Sequence, residues 1–276
     1  MNNLILFATY WNEIEWIRPS LAQIELIDPM EIIICDGCFD PTQPNRSTDG
    51  TRDIIARFVE ERSHAKLIPA VRLSRLGHYR EWLRPLPHET SGLFSVAKLR
   101  VARTFHRIHP YRLNQMATFN LMIRMSERFR PGAWFMTCDS DQFYGDQTLN
   151  AFRQVNEEVP FSMLTSKEYT FFERFDRFTD AYEERDYNNM PHRVFHDTRF
   201  IPTRHPARVV DGRYRIYTEI ETKRYAGPAY HYHLRPEERM RRGYALGDRR
   251  PPAESRTRTR PFSGEHPSII REHFLS

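Results

Sequence analysis

The segment Trp134–Tyr144, WFMTCDSDQFY, is an apolar run that ends in two aspartates separated by one residue. The run before Asp139 and Asp141 has the length and aromatic content of a buried β-strand. In an open α/β sheet, ligands bind beyond the carboxyl ends of the strands. The aspartate pair therefore lies either in a solvated loop after a strand or in one wall of a ligand site. The residues at the ends of the other strands distinguish these two possibilities.

Two other predicted strands also end in polar residues. The first, NLILFATY, ends in Thr9 and Tyr10 and is followed by Glu13, and the second, EIIIC, is followed by Asp36. Because the carboxyl ends of parallel strands meet at one edge of a sheet, we expect these groups and the aspartate pair to line one cleft. Carboxylates suit a hard cation such as Mg²⁺ or Mn²⁺, which shares its remaining positions with substrate phosphates. Each stretch alone also suits an ordinary loop, but together they favour a site for a phosphate-containing small molecule.

The pattern around these strands predicts an α/β fold. Residues 1–150 alternate strands with helical segments, which indicates a mostly parallel sheet flanked by helices. Residues 151–247 contain strand-like stretches rich in Tyr, Phe, Thr and Arg, which predict an antiparallel portion. We expect one domain over residues 1–247 and a mobile, Arg- and Pro-rich tail over residues 248–276.

Charge and hydropathy limit the classes of partner. The 276-residue chain has a net charge of +5, and only four of its 41 basic residues are lysine. Arginine binds phosphates through paired N–H groups, so a nucleotide, an anionic lipid or a nucleic acid is a suitable partner. No apolar run approaches the roughly 20 residues that span a bilayer, and the amino terminus lacks the basic region of a signal peptide. We expect a cytoplasmic protein, or one bound peripherally to the inner face of a membrane.

The chain has three cysteines, of which Cys35 and Cys38 form a C-x-x-C pair and Cys138 precedes the first aspartate. The second pair that a structural zinc site requires is missing. We therefore predict three free thiols.

Three stretches, in this order, resemble the motifs of GT-A glycosyltransferases of the large family 2 type: TYWNEIEWIRPSLAQI, IIICDGCFDPTQPNRSTDGTRDII and WFMTCDSDQFY. That family has a first strand ending in N-E, a second strand followed by a D-G-T motif, and a strand ending in D-x-D. Residues 39–46 are an insertion within the second motif. The resemblance covers residues 1–150 and continues loosely to residue 247. It is a resemblance to bacterial lipopolysaccharide and capsule enzymes, and it implies a Rossmann-like GT-A fold with the nucleotide-sugar in the first half and the acceptor beside the second.

The resemblance implies a metal-dependent, inverting glycosyltransferase that moves a sugar from a nucleotide-diphosphate donor to a hydroxyl group of a glycan or lipid-linked glycan. Asp139 and Asp141 match the D-x-D motif that binds Mn²⁺ or Mg²⁺ and the donor, with Asp141 favoured as the direct ligand. The metal would offset charge on the leaving diphosphate. Four further residues match positions around the donor's nucleoside: Thr9, Tyr10, Glu13 and Asp36.

An inverting reaction needs one general base on the acceptor side. The segment RVFHDTRFIPTRHPARVVDG supplies two candidates for this catalytic role, His205 and Asp197, and also contains Asp211. Glu219 and Glu221 follow as further alternatives.

The segment AYHYHLRPEERMRRGY resembles a carboxyl-terminal feature of the same relatives. His231 and His233 alternate along a strand and therefore share one face. They are candidate metal ligands or diphosphate contacts, or else half-exposed histidines on an edge strand. Arg235, with Arg239 and Arg242 on the predicted helix that follows, would reach the donor phosphates or lie on a solvated helix.

Two other classes compete with this interpretation. A sugar-nucleotide nucleotidyltransferase would carry a Gly-rich G-x-G-x-R loop after the first strand, where this chain has TYWNE. An arginine-rich nucleic-acid-binding protein would suit the net charge. Against it, the arginines are spread along the chain among 36 acidic residues and no known nucleic-acid-binding motif is present.

Overall fold

The computed structural model describes residues 3–90, 92, 95–172, 174–179, 189–234 and 259–276. Arg235, the predicted helix that follows it, and the start of the predicted tail lie outside these residues. The described chain forms a ten-stranded mixed sheet and a separate three-stranded antiparallel sheet. Helices pack on both faces of the larger sheet.

Four parallel strands make the first half of the large sheet, in the order β3-β2-β1-β4. They are β1 (Leu4–Tyr10), β2 (Glu31–Asp36), β3 (Ala65–Pro69) and β4 (Trp134–Cys138). The helices of this half are α1 (Ile17–Ile27), α2 (Thr51–Glu60), α3 (Arg75–Leu83), α4 (Val96–Ala102) and α5 (Pro110–Met125). A 3₁₀ turn, Phe105–Arg107, lies between α4 and α5.

The second half extends the sheet beyond β4 and adds the small sheet. The strands of the large sheet are β5 (Gln142–Tyr144), β6 (Met163–Phe172), β7 (Arg177–Thr179), β8 (His192–Arg193), β12 (Lys223–His233) and β13 (Thr259–Pro261). The small sheet consists of β9 (Arg199–Phe200), β10 (Pro206–Val210) and β11 (Arg213–Ile216). The remaining helices are α6 (Asp146–Arg153), α7 (Tyr217–Ile220), α8 (Ser268–Ile270) and a π-helical turn, Arg271–Leu275.

The central strands are apolar on both faces because both faces are covered. Along β1, Leu6 packs in a cluster with Ile24 of α1, whereas Phe7 on the opposite face packs with Phe119 of α5. All four side chains are at most 1% exposed. The uninterrupted apolar run that predicted a buried strand is thus explained by helices on either side of the sheet.

The predicted α/β fold with a largely parallel sheet and flanking helices is confirmed. The second half is antiparallel in the small sheet and where β6 meets β7 and β8. The longest pairing there is an exception, since β12 runs parallel to β6 from Lys223 to His233. Period-two patterns do not encode the direction of a partner strand, so the sequence could not distinguish these cases. Within the described ranges, no helix combines the length and the apolar character needed to cross a membrane.

The described part of the predicted tail is packed against the large sheet. Strand β13 pairs with β7, and Phe262 and His266 lie against Phe171 at centroid distances of 5.1 Å. Farther on, Ile269 and Ile270 are buried. Aromatic and aliphatic side chains after residue 261 thus attach the end of the predicted tail to the large sheet, although the earlier residues of that tail are rich in Arg and Pro.

Candidate metal centre at the sheet edge

The three strands that carry the predicted site residues end together. Tyr10 of β1 is in register with Asp36 of β2, and Ala8 of β1 is in register with Cys138 of β4. Asp139 follows Cys138 directly, so it extends from the same edge of the sheet. The sheet register therefore brings these predicted residues to one edge, as expected for the carboxyl ends of parallel strands.

At this edge, Asp141, His231 and His233 form a group that could hold a metal ion. One ligand atom from each residue lies within 4.8 Å of the others. Strand β12 brings the histidines there, because it pairs with β5 and the amide of Tyr232 donates to the carbonyl of Asp141 at 2.8 Å. Two imidazoles and one carboxylate suit a transition metal better than Mg²⁺, which prefers oxygen ligands.

His231 lies between two carboxylates. Its Nε2 is 3.5 Å from Asp141 Oδ1, and its Nδ1 is 3.1 Å from Glu168 Oε1. Burial lowers the pKa of His231, but Asp141 and Glu168 outweigh that effect and raise the pKa to about 10. A cation bound at Nε2 would therefore replace a proton. Glu168 would then orient the ring from the other nitrogen, as carboxylates do behind metal-binding histidines.

Glu168 is a candidate functional residue that the sequence did not single out. It lies on β6, is 8% exposed, and also accepts a hydrogen bond from the Thr170 hydroxyl. The signal available in the sequence was the alternation of polar residues with aromatic ones along SKEYTFF. That alternation shows that Glu168 and Thr170 share a face, but not that His231 faces them.

His233 is held by ring contacts on the same face of the sheet. Its ring stacks on Phe172 at a centroid distance of 5.1 Å and an interplanar angle of 7°. The centroid of the His231 ring lies 3.9 Å from the centroid of the His233 ring. These contacts keep the two histidines side by side and directed toward Asp141.

Asp139 lies beside the Asp–His–His group but has different partners. One carboxylate oxygen is paired with Arg204, and the other accepts a hydrogen bond from Asn189 Nδ2 at 3.2 Å. Asn189 is fixed in turn by Gln142 and by the Thr137 hydroxyl, which donates to it at 2.7 Å. Asp139 is thus oriented by Arg204 and Asn189, two residues that the sequence did not predict.

The predicted nucleoside contacts are mostly engaged within the protein. Asp36 is fully buried, accepts a hydrogen bond from Arg52 Nη1 at 3.0 Å, and accepts another from the Ser47 amide at 3.2 Å. These bonds attach Ser47, directly after the insertion, and Arg52 of α2 to the end of β2. The Tyr10 hydroxyl shares a 2.8 Å hydrogen bond with Ser20 of α1, so it points into the core.

Glu13 and Thr9, the other two predicted nucleoside contacts, differ in burial. Glu13 is 5% exposed, and its amide donates to the Thr51 hydroxyl at 2.8 Å, which joins the end of β1 to the start of α2. Thr9 is half-buried opposite Cys35 of β2. Both residues lie at the predicted edge of the sheet.

The two candidate general bases are placed differently. His205 is half-buried and directly follows Arg204, the partner of Asp139. Asp197 accepts hydrogen bonds from the amide and hydroxyl of Thr90 at 3.1 and 3.3 Å. The structure therefore brings the chain segment of His205 to the metal-binding edge and directs the Asp197 carboxylate toward a loop.

All three cysteines are buried free thiols, as predicted. Burial raises the pKa of Cys35 and of Cys138 far above the usual range, and neighbouring aspartates raise both further. Neither thiol is suited to metal binding as a thiolate.

No protein-family model matches this chain, and no curated protein sequence matches it. The case for a function therefore depends on the sheet edge and on its Asp–His–His group.

Proposed function

We propose that this chain is a metal-dependent glycosyltransferase of the GT-A type that moves a sugar from a nucleotide-diphosphate donor to a hydroxyl group of a glycan or lipid-linked glycan. The observation that carries the proposal is the convergence of Asp141, His231 and His233 at the carboxyl edge of the parallel strands. Open α/β sheets bind nucleotides at this edge. The D-x-D pattern at the end of β4 gives that edge the acidic ligand of a diphosphate-bound cation.

In this proposal, Asp141, His231 and His233 would hold Mn²⁺, and the bound ion would compensate the charge of the leaving diphosphate. Glu168 accepts the hydrogen bond from Nδ1 of His231, which keeps Nε2 available for the metal. Three protein ligands would leave further coordination positions to donor oxygens.

Arg204 and Asp139 form the second part of the proposed donor site. Their ion pair is partly exposed, at 27% and 20% of the two side chains. A guanidinium group binds phosphate oxygens as readily as carboxylates, so Arg204 can contact a donor diphosphate while Asp139 is held by Asn189. This arrangement assigns Asp139 to donor binding and to orientation of Arg204.

His205 is the general base that we favour for the acceptor hydroxyl group. It adjoins Arg204, whereas both oxygens of Asp197 accept hydrogen bonds from Thr90. In a single displacement with inversion, the base takes the hydroxyl proton as the acceptor oxygen attacks the anomeric carbon and the diphosphate leaves.

A thermal-shift screen tests the metal and the donor together. The wild-type protein is measured with UDP, GDP, CDP and dTDP, each with Mn²⁺, Mg²⁺, Zn²⁺ or no metal. We expect a rise in melting temperature that requires one base and Mn²⁺, and hydrolysis or transfer of the corresponding nucleotide-sugar. Asp141→Asn should abolish the rise, and the exposed Asp53→Asn on α2 is the matched control. A shift with no nucleotide under any metal condition would contradict the proposal.

A further inference from the structure

The segment from the end of β3 to the start of α5 has a strong net positive charge. Residues 71–112 contain eight arginines and one lysine against two glutamates, a formal charge of +7. The whole chain carries +5, so the remaining residues together have a formal charge of −2. This segment includes α3, α4 and the 3₁₀ turn. We call the described residues 75–90 and 95–107 the basic helical unit.

The two glutamates of this segment do not offset its surface charge. The side chain of Glu89 is fully buried, and its carboxylate oxygens lie 2.7 Å from Lys98 Nζ and 3.3 Å from Arg199 Nη1. Glu81 forms an ion pair with Arg124 of α5. The only lysine, Lys98, is also fully buried. The cations on the surface of the unit are therefore arginines whose charge the unit's own acids leave uncompensated.

Apolar residues share the outer face of α4 with two of these arginines. Val96, Leu99, Arg100 and Arg103 are spaced i, i+3, i+4 and i+7, which places them on one side of a helix. All four are exposed, and the exposed fractions of Val96 and Leu99 are 60% and 37%. Lys98 and its neighbours on the inner side are buried.

Helix α3 has the same organisation. Leu76, which is 60% exposed, and Arg80 are four residues apart on its outer side, while Trp82 is buried on its inner side. Trp82 Nε1 donates to the carbonyl of Lys98 at 2.9 Å, so α3 and α4 are joined directly. Trp82 also packs on Phe105 of the 3₁₀ turn at 5.9 Å between ring centroids. The exposed aliphatic and arginine side chains thus belong to one packed unit.

The unit is attached firmly to the small sheet. Arg199 of β9 is fully buried, stacks over the ring of Trp82 at 4.1 Å, and donates to the Trp82 carbonyl at 2.9 Å. The loop after β9 carries Arg204, which reaches Asp139 at the candidate site. The unit is therefore connected, through β9 and the loop after it, to the Arg204–Asp139 ion pair at the candidate site.

We propose that the basic helical unit is the docking surface of this protein for an anionic lipid membrane. Exposed aliphatic side chains enter the region between headgroups and acyl chains, and arginines on the same stripe bind lipid phosphates with their alkyl stems alongside. The exposed apolar side chains on these stripes, Leu76, Val96 and Leu99, are aliphatic, whereas single-stranded nucleic acid is bound by stacking on aromatic rings. The inference is independent of glycosyl transfer, although a membrane there would present a lipid-linked acceptor to the site.

Vesicle sedimentation of the full-length protein tests the proposal without donor or metal. The wild type is mixed with vesicles of phosphatidylcholine alone, or of phosphatidylcholine with phosphatidylglycerol, at physiological salt. We expect binding only to the anionic vesicles. Arg100→Glu/Arg103→Glu should weaken that binding at least tenfold, since each arginine near an anionic surface contributes about 1 kcal/mol. Arg128→Glu/Arg130→Glu makes the same change in net charge at two exposed arginines outside the unit and should bind like the wild type.

A second variant tests the apolar contribution. Val96→Asp places a carboxylate in the first turn of α4, where the helix dipole favours it, so the helix is retained while insertion is opposed. We expect at least a tenfold loss of vesicle binding with an unchanged melting temperature. The proposal is overturned if the wild type binds neither vesicle or both equally, or if the control pair loses as much binding as the Arg100/Arg103 pair. It is also overturned if Val96→Asp binds like the wild type, or if duplex DNA displaces the protein from vesicles, since either result indicates a purely electrostatic surface.

Discussion

Nε2 of His231 lies 3.5 Å from Oδ1 of Asp141, and these two atoms come from chain segments ninety residues apart. The contact depends on the pairing of β12 with β5, which the sequence pattern does not show. It brings an imidazole and a carboxylate together at the edge where β4 ends. Metal binding at this contact is the property on which the proposed function most directly depends.

Asp141→Asn should weaken Mn²⁺ binding by on the order of 100-fold or more, because it removes the only carboxylate of the Asp–His–His group, and outer partners alone typically account for 10- to 100-fold. Isothermal titration calorimetry with Mn²⁺ measures this. Asp139→Asn is the informative comparison, since Asp139 is bound to Arg204 and Asn189. An equal loss in both variants would make Asp139 a direct ligand.

Glu168→Gln should lower Mn²⁺ affinity by about 10- to 100-fold without changing the ligand set, because the amide orients His231 Nδ1 less strongly than the carboxylate does. The same titration measures the effect, and Glu158→Gln at an exposed position before β6 is the matched control. An unchanged affinity in Glu168→Gln would show that Glu168 only compensates the charge of a protonated histidine.

Much of this architecture could be predicted from the sequence because it is encoded locally. Apolar runs of strand length, each followed by a helical period, were sufficient to predict the parallel half, and the end of β4 identified Asp141. The alternation of histidine and tyrosine in AYHYH was sufficient to place His231 and His233 on one face. These inferences require only short-range spacing.

The partners of those residues could not be predicted in the same way. Glu168 meets His231 only because β12 runs parallel to β6, and Arg204 meets Asp139 only because a loop of the small sheet reaches the edge of the large one. Such contacts depend on the register between distant segments, which has no periodic signature. The aromatic contacts of Phe262 could not be predicted either, because the tail to which it belongs begins with a segment rich in Arg and Pro.

Arg204→Ala should weaken binding of the donor nucleotide by ~10- to 100-fold, the usual value of a hydrogen bond to a charged group. Metal affinity should be retained, because Arg204 does not belong to the Asp–His–His group. Thermal shifts across a nucleoside-diphosphate titration at saturating Mn²⁺ measure the loss. Arg215→Ala, at a half-exposed arginine of β11, should bind nucleotide like the wild type. Equal nucleotide affinity in Arg204→Ala and the wild type would remove Arg204 from the donor site.

Phe262→Ala should destabilise the fold by about 2 kcal/mol, roughly half the cost of deleting a fully buried phenylalanine ring, because Phe262 is half-buried. It contacts Phe171 and Tyr230, which flank the face of β6 and β12 opposite the histidines. Urea denaturation measures the change, and the exposed Leu275→Ala is the control. If both variants are as stable as the wild type, the carboxyl-terminal segment contributes no packing energy to the sheet.

The buried His192 should make the free energy of unfolding depend on pH. Burial, together with nearby His205, lowers its pKa from the ordinary value of 6.5 to about 3. The unfolded state therefore takes up a proton near pH 6.5 that the folded state does not bind until about pH 3. The contribution of His192 to stability is fully present above pH 6.5 and is lost as the pH falls through that interval, so the urea midpoint should be lower at pH 5 than at pH 7.

His192→Phe should reduce this difference, since Phe135 and Tyr217 already surround the ring at 5.6 and 5.1 Å. His64→Phe, at an exposed position, should leave the pH dependence unchanged. If His192→Phe retains the full pH dependence, the uptake of protons on unfolding belongs to other buried groups.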